Sequence, residues 1–138
     1  MTRAFTAIAL AAAVVTAGCS SDSDSAESQD PAALCSSLDA LETSVQGLGD
    51  VTVSAESLAT LQDGLEPVKA DVAQVVDDAK AQYAAHAHQL EQDFDELQLV
   101  ADTARTTPSG ANLSAIGPAL RTLADDVRGL ADDVASAC

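Results

Sequence analysis

Apolar residues recur along most of the chain in steps of three and four. Leu34, Leu38, Leu41, Val45 and Leu48 form one run, and Leu58, Leu61, Leu65, Val68, Val72, Val75 and Ala79 form a second. Tyr83, Ala87, Leu90, Phe94, Leu97, Ala101 and Ala104 form a third, and Leu113, Ile116, Leu120, Leu123, Val127, Leu130 and Val134 a fourth. This spacing places each run on one face of an α-helix. Asp, Gln, Ser and Ala fill the positions between, leaving the narrow stripe of coiled coils and slender bundles. The sequence Leu-Ala-Asp-Asp-Val occurs twice in succession, at Leu123 and at Leu130, one heptad apart. The predicted class is all-α: a heptad-patterned antiparallel helical bundle or coiled coil.

Helix boundaries follow from local chemistry. Asp30 is placed to cap the first helix, with Pro31 in the first turn, where a missing N–H costs nothing. Gly47 and Gly49 end that helix. Ser54 is the expected cap of the next, with Val53 stapled onto Leu58. Thr106 to Gly110 (TTPSG) reads as a loop. Pro67 and Pro118 fall inside apolar runs, where each removes a backbone hydrogen bond and kinks the helix; alternatively, Gly117-Pro118 marks a late start for the last helix.

The middle of the chain admits two arrangements. From Lys80 to Gln89 there is no Gly, Pro or Asn, and the stripe steps by four three times, through Val75, Ala79, Tyr83 and Ala87. Such a stutter can be absorbed by a continuous helix. Residues 55–105 would then form one long central helix of about 76 Å at 1.5 Å per residue, flanked by two shorter helices laid end to end against it. If the chain instead breaks near Tyr83, it makes an up-down four-helix bundle. The absence of a helix breaker favours the long helix. Both arrangements bring Cys35 close to Cys138.

The amino-terminal segment has a different pattern. Arg3 precedes an apolar run of 14 residues, Ala4 to Ala17. That is shorter than the roughly 20 residues a spanning helix needs and suits the h-region of an export signal. The run ends in Val15-Thr16-Ala17-Gly18-Cys19, which resembles the lipobox of bacterial lipoproteins, with Thr16 where Leu is commonest. The resemblance implies cleavage after residue 18, diacylglycerol on the Cys19 sulfur, and often a third acyl chain on the new amine. Ser20 to Asp30 is polar and acidic, the composition of a tether that cannot bury a core. The expected organisation is a signal peptide over 1–18, a lipidated Cys and acidic tether over 19–30, and a helical domain over 31–138.

Removing Arg3 with the signal leaves five basic residues against 22 acidic ones, a side-chain charge of −17. Nucleic-acid and anionic-lipid surfaces are attracted by clustered positive charge, so neither is an expected partner. Two cysteines remain beyond Cys19, and in an exported chain an even pair is most simply one disulfide, Cys35–Cys138.

The sequence offers little chemistry. No Ser lies in a Gly-x-Ser-x-Gly elbow, and no Gly-rich phosphate loop is present. His86 and His88 lie two apart on a helix, about 200° around its axis, and cannot chelate one ion from the same face. His88 and Glu91 are three apart and could share one. Neither His-Glu-x-x-His nor the Glu-x-x-His of di-iron bundles occurs. Asp77-Asp78, Asp93, Asp95, Asp125-Asp126 and Asp132-Asp133 lack EF-hand spacing and read as solvated helix faces. No catalytic residue, metal ligand or cofactor is expected, and the chain is not expected to be an enzyme.

The lipobox, the Ser/Asp tether, the Cys35-x-x-Leu38-x-x-Leu41 opening, the Leu-rich heptads and Cys138 together resemble a broad group of small Ala/Asp/Val-rich lipoproteins of high-GC Gram-positive bacteria. The resemblance covers the whole chain and implies a location and a fold, not an activity. The expected function is a non-enzymatic helical module, anchored through Cys19 at the extracytoplasmic face of the cell membrane. It would bind an envelope protein or act as a spacer. The alternative is a small-molecule or metal carrier with a pocket near Tyr83, His86 and Pro67.

Overall fold

The computed structural model describes residues 31–79 and 81–138. The expected signal segment, Cys19, the tether and the Asp30 cap lie outside the described residues. Four helices follow one another: α1 (Pro31–Gly49), α2 (Leu58–Asp78), α3 (Ala84–Thr106) and α4 (Gly110–Val134). The packed pairs are α1–α2, α2–α3, α3–α4 and α4–α1. The helices therefore stand around a square in chain order, with α1 opposite α3 and α2 opposite α4. Short connections make each neighbour antiparallel, giving an up-down four-helix bundle.

The chain thus breaks where the long-helix arrangement would continue. Ala79 caps α2 in an extended conformation (φ −72°, ψ 120°), its N–H still bonded to the Val75 carbonyl, and α3 restarts after Tyr83. The cause lies in the stutter. At 100° per residue, the twelve residues from Val75 to Ala87 carry the apolar stripe about 120° around a straight helix. One rod would aim its two halves at different sides of the molecule. Folding back at the stutter lets both halves face one core.

The stripes are what the bundle buries. Leu34, Leu41 and Leu48 from α1, Leu61, Val68 and Val75 from α2, Leu90 and Leu97 from α3, and Ile116, Leu123 and Leu130 from α4 are each at most 2% exposed. Among the described residues Phe94 is the one buried aromatic, and Tyr83 packs against the cluster from its edge. Aliphatic side chains therefore carry the packing.

Two helix starts have mechanisms of their own. Ser54 does not cap a helix beginning at Ala55. Instead Ser54 and Ser57 close a turn on each other, the Ser54 N–H donating to Ser57 Oγ at 2.9 Å, and α2 begins three residues later at Leu58. Ser109 does cap α4, its Oγ accepting from the Asn112 N–H at 3.2 Å. Pro118 lies within α4, so that helix starts at Gly110 and not late.

Candidate functional site

The bundle has two distinct ends. Pro31, the 79–83 connection and Cys138 share one, which we term the base; the 50–57 and 107–109 connections share the other. Cys35, in the second turn of α1, is joined by a disulfide to Cys138, beyond the end of α4, with Cα atoms 6.0 Å apart. The base is therefore closed covalently across the α1–α4 edge.

The structure separates the residues expected to form a pocket near Tyr83. Pro67 lines a depression between α1 and α2 with Gly47 and Asp63. His86 lines another between α3 and α4 with Gln89, Asp126 and Asp133. His86 Nδ1 lies 3.3 Å from Asp133 Oδ2, and His88 Nδ1 lies 3.3 Å from Glu91 Oε2, in both cases with side chains more than half exposed. Among the described residues no group of three or more His, Cys, Asp or Glu side chains is arranged to hold a metal ion.

Two features stand out instead. The first is a groove of about 300 Å³ between α1 and α4, toward the far end. Val45, Leu120, Ala124 and Val127 line it from the helices, and Val51 and Val53 from the connection beyond α1. Glu42, Arg121, Asp125 and Arg128 are its charged lining residues. Arg128 is tied to Asp125 at 3.2 Å, and Arg121 makes no ion pair among the described residues.

The second is a carboxyl pair across the α3–α4 seam. Asp93, on α3, is only 6% exposed. Its Oδ1 accepts from Gln89 Nε2 at 3.0 Å, while its Oδ2 is buried without a hydrogen-bond donor. Asp126 faces it from α4, and its carboxyl is pushed up from 3.8 to about 6. The largest cause is a hydrogen bond to Asp93 that only a protonated carboxyl can donate. Burial and the charges of Asp93 and Asp125 push the same way, and His86 opposes them.

The reading of every acidic pair as solvated fails at Asp93 and Asp126. A signal was present: Leu90-x-x-Asp93-Phe94-x-x-Leu97 and Leu123-x-x-Asp126-Val127-x-x-Leu130 each place an Asp on a three-four step between two seam leucines. An acid at that spacing is carried toward the seam whatever lies opposite. The facing partner, by contrast, is set by how α3 and α4 align, which neither segment encodes alone. The sequence matches no protein-family model, no curated protein and no solved structure.

Proposed function

We propose that this chain is a lipoprotein anchored through Cys19 at the extracytoplasmic face of the cell membrane, and that its bundle is a non-enzymatic protein-interaction or spacer module. The observation that supports the reading is the arrangement of the ends. The chain enters the bundle at Pro31, at the same end that the Cys35–Cys138 bond closes. A tether joined to Pro31 would meet the bundle at its base, and the far end, with both remaining connections, would face away from the bilayer. Two acyl chains, at about 0.8 kcal/mol per buried methylene, would suffice for stable attachment, where one would hold only marginally. Intact mass spectrometry of protein extracted from host membranes tests the anchor. A chain beginning at Cys19 and carrying acyl mass is expected; an unlipidated chain recovered from the medium would refute it. Crosslinking in intact cells from a probe at Thr52, at the far end, tests the interaction role. A defined envelope partner should be trapped there more than from a probe at Ser136 near the base, and equal trapping at both would leave only the spacer.

A carrier role is the second reading, and the α1–α4 groove is what favours it. Its volume lies at the lower end of the roughly 300–1,000 Å³ of small-molecule pockets. Apolar walls beside the unpaired Arg121 suit a single-chain carboxylate. A fatty acid such as laurate should raise the melting temperature, because ligands that bind only the native state stabilise it. The corresponding alcohol should do so less, and Arg121→Gln should erase the difference. No shift with either ligand removes this reading.

A further inference from the structure

We propose that Asp93 and Asp126 share one proton across the α3–α4 seam, and that this proton makes the bundle tighter in acid than at neutral pH. A carboxylate as buried as Asp93 is ordinarily held by donors on both oxygens, because a buried polar atom left without a partner costs about 1–3 kcal/mol. Gln89 serves Oδ1, and nothing with a fixed hydrogen serves Oδ2. The neighbour across the seam is a second acid, which becomes a donor only by keeping its proton. One proton between the pair therefore does two things: it supplies the missing donor and removes one of two facing like charges. The upward displacement of the Asp126 carboxyl is the same fact seen from its partner.

The surroundings leave this pair as the dominant interaction. From α3, Asp93 favours the protonated form of Asp126 and His86 opposes it; on α4 itself, Asp125 favours it. Glu96 lines a depression with Asp93 on the α3–α4 face. From α1, Glu42 lies across the groove on the Asp125 side of α4. From α2, Gln62 meets Asp102 of α3, nine residues or two and a half turns from Asp93.

The direction follows from linkage. A carboxyl whose folded value stands above its unfolded value binds its proton more tightly in the native state. The resulting stability is complete below the ordinary value of 3.8 and is lost as pH rises through about 6. Above that range Asp126 is ionised, the buried oxygen of Asp93 loses its donor, and the charge of Asp93 repels Asp126 across the seam.

Carboxyl ¹³C NMR titration of the full chain reads the pair directly. Asp126 should show a midpoint about two pH units above the ordinary Asp value near 3.9, and Asp93→Asn should return it toward that value. Thermal melts should show a loss of about 5 °C between pH 5 and pH 8, the equivalent of roughly 1 kcal/mol for a domain of this size. Asp126→Asn should abolish most of that loss, while His86→Gln should retain it, which separates the pair from histidine titration in the same window. Titration of Asp126 together with the exposed aspartates, or no response to Asp93→Asn, overturns the proposal. So does a rise in melting temperature with millimolar Ca²⁺ at pH 8 that Asp93→Asn removes, since a metal ion would then occupy the place assigned to the proton.

Discussion

Two glycines inside helices show how much a single Cβ means in this bundle. A Cβ on Gly64, in α2, would fall 2.8 Å from Cδ1 of Leu48, a side chain only 2% exposed. Gly64 is thus where α2 admits the core side chain of α1. A Cβ on Gly129, in α4, would meet nothing within 4 Å. Glycine costs a helix interior about 1 kcal/mol relative to alanine, so Gly129→Ala should stabilise by roughly that amount. At Gly64 the same gain competes with overpacking worth about 1–3 kcal/mol, and Gly64→Ala should come out destabilising by about 1 kcal/mol. Urea denaturation of both variants checks the pair; equal stabilisation of the two would show that Leu48 can turn aside without cost. Neither glycine is distinguishable in the sequence, where each follows a charged residue (Asp63, Arg128) and precedes a seam leucine (Leu65, Leu130). What separates them is the neighbouring helix, and that information is tertiary. Most seam leucines and valines were legible because their spacing decides their burial, and the same spacing carries Asp93 inward; its pairing with Asp126 depends on the residue opposite, which spacing does not give.

At the level of whole helices, the starts and stops with side-chain chemistry were readable and those without it were not. The Gly49 end and the 107–109 loop carry Gly, Pro or Ser at positions where those residues have conformational reasons to be. The α2–α3 joint carries none of these, and Asp77 and Asp78 occupy the last turn of α2, where the helix dipole favours cations. Only the stutter marked it, and a stutter is compatible with a continuous helix until the whole core is considered. Ser54 misled for a related reason: a Ser three residues from another Ser can close a turn as well as cap a helix. Among α2, α3 and α4, only α4 has a side-chain cap at its N-terminus. Ser109→Ala should therefore cost about 1 kcal/mol and expose the first-turn amides of α4 to faster hydrogen exchange. Ser57→Ala offers a control, because Ser57 bonds into the connecting turn and caps no amide of α2; its loss should leave exchange in the first turn of α2 nearly unchanged.

The molecule as a whole combines an acidic surface, a core with little aromatic content and a covalent bond across its base. Cys35 and Cys138 are 103 residues apart in sequence, so their bond closes nearly the whole described chain into one loop. Joining the ends of so long a loop removes a large share of the unfolded chain's freedom, worth about 4.7 kcal/mol in the chain-entropy model, with measured values more often 2–4 kcal/mol. The native state itself should change little on reduction. Cys35 stays within α1, and Cys138 lies beyond α4, where its N–H bonds to the Val134 carbonyl. The expected outcome is a reduced protein with unaltered far-ultraviolet circular dichroism at 25 °C, and with an unfolding midpoint in urea lowered by the equivalent of about 2–4 kcal/mol. A bond acting on the unfolded chain should also speed refolding more than it slows unfolding, provided the base forms early. If reduction instead melts the helices at 25 °C, the bond is holding together a bundle whose aliphatic core cannot balance chain entropy and charge repulsion alone. If the midpoint does not move, the unfolded chain already keeps its ends together without the bond.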